Sequence, residues 1–488
     1  MNAPIVEITS GKIQGVQEEG LQVFRGIPFA QPPLGALRFR PPKPVEPWSG
    51  IYQATAFRPS PWHPLPPGLP PVPGGMSEDC LSVNVWTPAT GNARRPVLIW
   101  IYGGGFTSGS SAQYDPIKLV QHGDIVMVTF NYRLGSLGFL YLGDLLAEDY
   151  ARSGNTGLLV LLLVLRWVQA NIAAFGGDPA QVTIMGQSAG AASVGTLLTM
   201  PTAQGLFRRA ILESEPAAAR DRTTATIIAK RLLAALGLTP QEARKLLELP
   251  AEQIVAAQSR VTADIHSYGP VIDGLVLSQL PLEAIRQGVG ASLPLLIGSN
   301  REEARLDTTL DSQLAHPNRA RLTAYFGDNS EAVWVAYQRA LEGQPSDEAW
   351  VSTLTDYLIG LATTYHADTQ ADHGTPVWRY RFDYQGPLGA CHVAEIPFVW
   401  QSTLAGAEKI FPVPTPANMP LSTLMQTAWL HFIRTGNPNG EGVLSWPRYT
   451  TPSRQTMLFT IPAKVESLPS ASIEPGFSIQ QVYVLEEA

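Results

Sequence analysis

Cysteine and charge are scarce in this sequence, and each shortage excludes a class of protein. Only two of the 488 residues are cysteine, Cys80 and Cys391, which excludes a disulfide scaffold and favours a reducing compartment. Charged residues make up 15% and hydrophobic residues 45%, so we expect a large buried core rather than extensive disorder. The net charge of -7 offers no attraction to nucleic acid or anionic membranes, so the expected partner is a small molecule.

The pattern of residues also lacks a secretory signal and a long apolar run. Residues 1–11 have no basic segment and contain Glu7, unlike a secretory signal. The longest aliphatic run, Leu158–Leu165, ends at Arg166 and is shorter than the ~20 residues that cross a bilayer. These features predict a soluble, cytoplasmic protein that does not bind membranes.

The first part of the chain is typical of short antiparallel strands. Apolar and polar residues alternate from Ile5 to Gly26 around several glycines, which predicts a hairpin ribbon. Residues Pro59–Pro73 contain so many prolines that neither a helix nor a central strand is expected there. We interpret this stretch as a stiff surface loop within a single domain of residues 1–488, because the strand-like residues Leu81–Trp86 follow at once.

Buried strands alternate with helices along the rest of the chain. This rhythm predicts an α/β fold with a central, mostly parallel sheet and helices on both faces. The expected strands are Val97–Tyr102, Ile125–Asn131, Val182–Met185, Ala210–Leu212, Leu293–Ile297 and Val377–Phe382. The expected helices are Gly157–Ala174, a long region from Thr223 to Gln258, and Ser422–Arg434 with a stop at Gly436.

The first segment with candidate chemistry surrounds Ser188. An apolar strand runs directly into Gly-Gln-Ser-Ala-Gly at residues 186–190, and a helix-favouring segment follows. In a strand, turn and helix of this kind, the glycines permit a sharp turn that exposes the serine hydroxyl as a nucleophile. The pattern alone is weak, because a serine that merely caps the helix would have the same neighbours.

Two further segments supply groups that a serine nucleophile needs. The three glycines 103–105 end a buried strand and can present backbone N–H groups to a developing negative charge, although such turns are also common as plain loops. Glu302 and Glu303 follow another strand, where they are candidates for the acid or ordinary acids at a helix start. The order serine, acid, histidine along the chain is that of α/β-hydrolases.

Among the eight histidines, His392 is the best candidate for the base that activates Ser188. It lies in a glycine-led loop after the strand Val377–Phe382, where an imidazole can be reached. We interpret His431 as a packing or surface residue, and the following as surface residues: His63, His122, His316 and His373.

Taken together, the motifs of this chain resemble those of type-B carboxylesterases, similar to bacterial para-nitrobenzyl esterases and more distantly to cholinesterases. The matching segments run along most of the chain: Phe24–Ala30, Pro32–Phe39, Ser77–Leu81, Tyr102–Phe106, Asn131–Gly135, Ala174–Pro179 and Gly186–Gly190. The resemblance implies an α/β-hydrolase fold with extra helices over the active site. It also implies a catalytic triad of Ser188, Glu303 and His392, with oxyanion donors at the backbone N–H groups of Gly104, Gly105 and Ala189.

Some positions depart from the family pattern. Ala304 stands where a glycine usually follows the catalytic glutamate, and Glu215 stands where a glycine usually follows the serine at 214. The family's Leu-Asp-Gln is replaced by Leu-Val-Leu at 159–161, which removes the expected partner of Arg133. The usual cysteine partner of Cys80 and the tryptophan of the choline site are missing, which argues against a cholinesterase. The resemblance also implies a structural ion pair between Arg38 and Glu78.

These features predict hydrolysis of small to medium carboxylic esters through an acyl-serine, without a cofactor or metal. The activity is expected to fall below a pH of about 6.5, where free histidine becomes protonated. Amide or carbamate hydrolysis on the same fold is one alternative, and a non-catalytic interaction module is another. The sequence does not determine the oligomeric state, although a monomer is the expectation.

Overall fold

The strands of the protein extend from near the N-terminus to residue 467. A computed structural model describes residues 3–64, 72–216, 218–261, 268–404 and 407–468. Within these ranges the strands are β1 (Ile5–Ile8), β2 (Gly11–Gln14), β3 (Val16–Glu18), β4 (Leu21–Pro28), β5 (Ile51–Gln53), β6 (Ser82–Thr87), β7 (Arg95–Ile101), β8 (Val126–Phe130), β9 (Gly177–Gln187), β10 (Arg209–Glu213), β11 (Arg220–Asp221), β12 (Val271–Ile272), β13 (Leu295–Asn300), β14 (Val377–Phe382), β15 (Gln455–Phe459) and β16 (Lys464–Ser467).

The helices lie mainly between the strands from β7 onward, as the alternating pattern predicts. Within the described ranges the α-helices are α1 (Ile117–Gly123), α2 (Gly135–Phe139), α3 (Thr156–Asn171), α4 (Ala189–Thr199), α5 (Arg222–Ala235), α6 (Ala251–Val261), α7 (Pro281–Arg286), α8 (Arg305–Leu310), α9 (Arg319–Phe326), α10 (Ser330–Ala340), α11 (Ser346–Thr355), α12 (Leu361–Asp372), α13 (Ile396–Trp400) and α14 (Met419–Thr435). The helix α14 ends at Gly436, whose φ of 79° gives the predicted stop.

One large sheet organises the molecule. Its strand order is β16-β15-β14-β13-β10-β9-β7-β8-β6-β4-β3. The strands from β15 to β8 pair in parallel, and antiparallel strands complete both edges. Central strands such as β8 and β13 are buried along their whole length, because helices cover both faces of a parallel sheet. The predicted α/β class and mostly parallel sheet are therefore confirmed.

The N-terminal hairpins are also confirmed. Strands β1 and β2 pair antiparallel, with β5 beside β2, while β3 and β4 pair antiparallel at one edge of the large sheet. The predicted strand Leu81–Trp86 corresponds to β6. Of the predicted loop Pro59–Pro73, residues 65–71 lie outside the described residues.

The predicted helical region from Thr223 to roughly Gln258 is helical but divided into separate helices. The helix α5 ends at Ala235, a 3-10 helix spans Pro240–Leu247, and α6 begins at Ala251. Gly237 has a φ of 72°, and proline at 240 cannot continue an α-helix, so the chain turns between the two helices. The residue pattern also did not predict α8 to α12, whose apolar side chains form a second buried cluster around Trp350 and Leu354.

A helical stretch that includes α3 is long and apolar enough to cross a membrane by length and composition alone. It spans Glu148–Phe175, with a mean hydropathy of 2.0 in its most apolar window. This stretch is longer than the aliphatic run that the sequence displays, because short helical turns flank α3 on both sides. The protein buries 61% of that window, as is typical of a core helix.

Candidate active site

The residues with candidate chemistry follow strands that lie side by side. Strands β7, β9, β10, β13 and β14 are neighbours and run parallel, so their carboxyl ends meet at one edge of the sheet. Loops outside the carboxyl ends of parallel strands are where ligands bind in open α/β sheets. Ser188 follows β9, the glycines 103–105 follow β7, Glu303 follows β13 and His392 follows β14.

Ser188 occupies a strained turn between β9 and α4. Its φ of 56° and ψ of -126° lie in a region that a residue with a side chain seldom adopts. A side chain at Gly190 would come within 1.9 Å of the Ile101 carbonyl oxygen, and one at Gly186 within 2.4 Å of the Gly190 backbone. Glycine is therefore required at both flanks, and the turn leaves Ser188 partly exposed while its neighbours are buried.

The glycine turn after β7 lies directly against Ser188. A Cβ atom at Gly103 would stand 2.9 Å from the Ser188 Cβ. Gly104 and Gly105 have φ values of 103° and 59°, which side chains would strain. Within the described ranges, the backbone N–H groups of Gly104 and Gly105 donate to no protein acceptor. Ala189 is the first residue of α4, so its N–H has no acceptor within the helix.

His392 and Glu303 form a short, partly buried hydrogen bond. The His392 Nδ1 atom lies 2.6 Å from Glu303 Oε2, and the His392 backbone N–H donates to the Glu303 carbonyl over 3.2 Å. The other carboxylate oxygen, Oε1, accepts from the Asn300 backbone N–H over 2.6 Å. Glu303 is 1% exposed, so its orientation is fixed by these contacts rather than by solvent.

The second nitrogen of His392 faces the residue before Ser188. The Gln187 Nε2 atom lies 3.2 Å from His392 Nε2. If the Gln187 amide donates this bond, His392 carries its proton on Nδ1, next to Glu303, and Nε2 is the acceptor. Among the described residues, the Ser188 hydroxyl makes no hydrogen bond to His392 in this conformation. The structure thus brings His392 to the serine turn with its basic nitrogen occupied by an amide.

Carboxylates surround His392 and change its proton affinity. Burial lowers the pKa of His392, but the charge of Glu303 and its hydrogen bond outweigh burial and raise the pKa to about 9. Asp307 and Glu395 add to this increase. Burial raises the pKa of Asp307 to about 6, against the opposing charge of His392. The base at this site is therefore more easily protonated than a free histidine.

Two further buried carboxyl groups lie behind the pair and were missed by the sequence reasoning. Glu395 accepts from Asn300 Nδ2 over 2.5 Å, and burial followed by the charge of Glu303 raises its pKa to about 7. Glu213 accepts from the Trp429 indole N–H over 2.8 Å, and burial raises its pKa well above the ordinary range. Glu395 lies three residues after His392, directly before α13. This short spacing was the signal that could have identified Glu395.

The two adjacent acids of the sequence prediction have different environments. Glu302 forms an ion pair with Arg305 and accepts from the Ala390 backbone N–H over 3.0 Å. It therefore holds the loop before His392 in place, whereas Glu303 bonds the imidazole itself. Within the described ranges, no group of three histidine, cysteine or acidic side chains is arranged to hold a metal ion.

A second buried pair of histidine and glutamate follows the neighbouring strand. The His366 Nδ1 atom on α12 lies 2.6 Å from Glu215 Oε2, just after β10. Glu215 is one of the positions that depart from the family pattern, and His366 was not considered among the candidates. The interpretation of His63 as a surface residue is wrong: it is 4% exposed, and its Nδ1 lies 2.8 Å from the carbonyl oxygen of Pro61.

Known proteins resemble this chain along almost its whole length. A family model described as the carboxylesterase family matches residues 2–473. The para-nitrobenzyl esterase of Bacillus subtilis is 37% identical over 490 residues, which cover 96% of this chain and 98% of that protein. The fumonisin B1 esterase of Sphingopyxis macrogoltabida is 36% identical over 488 residues, which cover 96% of this chain and 88% of that protein.

Solved structures agree with this relationship. The crystal structure of a carboxylesterase from Geobacillus stearothermophilus at pH 6.2 has a TM-score of 0.87 and 39% sequence identity, and the match covers 95% of this chain and 98% of the other. A solved PNB esterase has a TM-score of 0.83 and 34% identity, with coverage of 96% and 98%. The predicted α/β-hydrolase fold and the resemblance to carboxylesterases are confirmed.

Proposed function

The chain belongs to the carboxylesterase family and is an enzyme that hydrolyses carboxylic esters, and from this we propose that Ser188, His392 and Glu303 are its catalytic triad. The observation that carries the proposal is the 2.6 Å bond between His392 and Glu303, at the same edge of the sheet as the strained Ser188 turn. Triads are recognised by such geometry and roles rather than by sequence position.

In the first half of the reaction, the Ser188 hydroxyl attacks the carbonyl carbon of the ester and its proton passes to His392 Nε2. For this step the Gln187 amide leaves Nε2, so that the hydroxyl can take its place. The tetrahedral intermediate then expels the alcohol, which receives the proton from His392. An acyl group remains on Ser188.

In the second half, His392 removes a proton from water, and the resulting hydroxide attacks the acyl-serine. The carboxylic acid leaves and Ser188 regains its proton from His392. Throughout both halves, the Glu303 carboxylate accepts a hydrogen bond from the Nδ1–H group of His392 and stabilises the imidazolium when it forms. Its role is to orient and stabilise the base rather than to take up the proton itself.

We assign the oxyanion site to the backbone N–H groups of Gly104, Gly105 and Ala189. The negative charge of the intermediate develops on the former carbonyl oxygen, so donors that are already oriented lower the barrier. What supports the assignment is that the glycine turn adjoins Ser188 and that these N–H groups have no competing acceptor in the described residues.

A panel of p-nitrophenyl esters, anilides and carbamates tests the proposal and separates the ester preference from its alternatives. We expect turnover of short and medium esters, and we expect Ser188→Ala to lower kcat by on the order of 10⁴ to 10⁶. Ser312→Ala, at an exposed serine, is the matched control and keeps full activity. Retention of most esterase activity by Ser188→Ala would contradict the triad.

Three broader expectations remain predictions. They are the single domain over residues 1–488, of which 469–488 lie outside the described residues, the monomeric state, and the cytoplasmic location. Reaction without a cofactor and without nucleic acid or membrane partners likewise remains a prediction. Size-exclusion chromatography with light scattering measures the mass in solution and so tests the monomeric state. A mass of two protomers would contradict it.

A further inference from the structure

Arg133 is a buried cation without a hydrogen-bond partner among the described residues. It lies in the turn after β8 and is 3% exposed. Its three guanidinium nitrogens are all buried and make no hydrogen bond. Among the described residues, no other arginine has all three nitrogens in this state. A guanidinium has five N–H donors and remains protonated in proteins, so this side chain presents a complete set of unused donors.

The neighbouring Arg38 shows what a satisfied buried arginine is like in the same region. It bonds both oxygens of Glu78, at 2.9 and 2.6 Å, and donates to the carbonyl oxygens of Leu246 and Leu249. The charge of Glu78 acts on Arg133, but Arg38 already matches that charge. The two arginines and one glutamate leave a net positive charge in the protein interior.

Other nearby groups do not supply the missing negative charge. Burial raises the pKa of the Cys80 thiol to about 12, so it is neutral at ordinary pH although it lies beside Arg133. Burial lowers the pKa of Arg133 to about 10, so the guanidinium is still charged at neutral pH. On α3, Val160 and Leu161 are buried and apolar. They lie about one turn beyond Gly157, where an added Cβ atom would stand 3.0 Å from the Arg133 carbonyl oxygen.

A small cavity adjoins this side chain. Its walls include Arg133, Arg38, Glu78, Cys80, Trp62 and Leu137, and about 10 Å³ of it is open to the centre of a water-sized sphere, which leaves room for one small particle. An unpaired charge in such a place costs several kcal/mol unless it is compensated. Of the charged side chains in the wall, Arg38 and Glu78 compensate each other, which leaves Arg133 for the cavity.

We propose that Arg133 binds one small monovalent anion of chloride size in this cavity. The anion accepts hydrogen bonds from the guanidinium and supplies the negative charge that no group among the described residues provides. A water molecule in the same place would satisfy donors without neutralising the charge. This site is separate from the proposed triad, so it stands or falls independently of the proposed mechanism.

The turn that contains Arg133 also supports the glycine turn beside Ser188. The Tyr132 hydroxyl donates to the Tyr102 carbonyl over 2.9 Å, and the Gly135 N–H donates to the Phe106 carbonyl over 2.6 Å. Arg133 lies between these two contacts along the chain. An anion that stabilises this turn therefore stabilises the loop that presents Gly104 and Gly105.

Crystals of the wild-type protein soaked in sodium bromide test the site directly. Bromide scatters anomalously and is close to chloride in size and charge. We expect an anomalous peak within hydrogen-bonding distance of the Arg133 guanidinium. A featureless map at Arg133, or density that refines only as water in crystals that bind bromide elsewhere, would overturn the proposal.

Thermal unfolding gives a second test in solution. At constant ionic strength and pH, replacing sodium gluconate by sodium chloride is expected to raise Tm by about 1–2 °C near saturation, since a ligand that binds only the folded state stabilises it. Arg133→Met abolishes this rise, whereas Arg166→Met, at an exposed arginine on α3, keeps it.

Val160→Asp places a carboxylate on the apolar side of α3 and is expected to remove the dependence on chloride by supplying an internal partner. An equal chloride effect in wild type and Arg133→Met contradicts the proposal. If Arg133→Met does not fold, the bromide map and the response of the wild type to chloride still decide the question. A wild-type Tm that is the same in chloride and gluconate also contradicts it.

Discussion

Two pairs of histidine and glutamate in this enzyme have the same geometry but different surroundings. His392 and Glu303 are joined by an Nδ1 to Oε2 distance of 2.6 Å, and so are His366 and Glu215. Both glutamates are almost fully buried, and each follows the carboxyl end of a central strand. The distance within the pair therefore does not distinguish a catalytic base from a structural one.

What differs is the environment of the remaining imidazole nitrogen. His392 belongs to a loop, its side chain is 16% exposed, and its Nε2 faces Gln187 beside the strained Ser188. His366 lies inside α12, is fully buried, and has an Nε2 without a hydrogen-bond partner among the described residues. A histidine can act as a base only if its free nitrogen reaches the proton it removes, so of these two histidines we propose His392 as the base of Ser188.

Equivalent substitutions of the two histidines should separate these roles most strongly. We expect His392→Gln to lower kcat for esters by on the order of 10⁴ to 10⁶, since the nucleophile loses its base. We expect His366→Gln to keep kcat close to that of wild type and to lower the free energy of unfolding by about 1–3 kcal/mol. Steady-state kinetics and thermal unfolding measure the two effects.

The comparison fails if His366→Gln abolishes turnover while the protein stays folded, or if His392→Gln remains active. Circular dichroism and Tm of each variant establish that the fold is intact. Ser312→Ala again serves as the control for handling and purity, because its side chain is exposed.

Substitutions of the two glutamates should separate the two pairs in the same way as those of the histidines, with a smaller loss of kcat. Glu303→Gln retains the shape of the side chain but can no longer stabilise the imidazolium, so we expect kcat to fall by on the order of 10³ to 10⁴. Glu215→Gln should affect stability rather than kcat, because its partner does not reach Ser188. Equal losses of kcat in both variants would show that the two pairs act as one unit.

The dependence of activity on pH tests the electrostatic part of the comparison. His392 must be neutral to accept the Ser188 proton, so activity is present above its pKa and is lost as pH falls through it. Because the carboxylates raise that pKa from 6.5 to about 9, we expect the acid limb of kcat/KM to have its midpoint above 6.5. A midpoint at or below 6.5 would contradict the assigned surroundings of His392. This higher midpoint replaces the pH of about 6.5 that was expected from free histidine.

The smallest expected effect concerns Asp307. Its negative charge helps to raise the pKa of His392, so Asp307→Asn should move the midpoint of the acid limb to lower pH. Asp347→Asn, at an exposed acid on α11, is the control and should leave the midpoint unchanged. A shift to higher pH in Asp307→Asn would show that the charge does not act on His392.

The sequence predicted the parts of the site that depend on local backbone chemistry. The glycines around Ser188 and at 103–105 are detectable because each turn requires them sterically, and His392 and Glu303 are detectable because they follow recognisable strands. The parallel sheet was predictable because its buried strands are continuous apolar runs.

Features that arise from packing between distant segments were not predictable. Gln187 contacts His392 across 205 positions of the chain, and no pattern near either residue indicates this contact. The pair of Glu215 and His366 depends on how α12 packs against the sheet at β13 and β14. The isolation of Arg133 was expected only because the family resemblance identified a missing partner.

The most direct test of the proposed triad is a crystal structure of the enzyme after reaction with an organophosphonate ester. We predict one covalent bond from the phosphorus atom to Ser188 Oγ, with the phosphonyl oxygen about 2.7–3.1 Å from the backbone nitrogens of Gly104, Gly105 and Ala189. His392 Nε2 should then face Ser188 Oγ instead of Gln187. An adduct on another residue, or a phosphonyl oxygen directed away from the three nitrogens, would contradict the account.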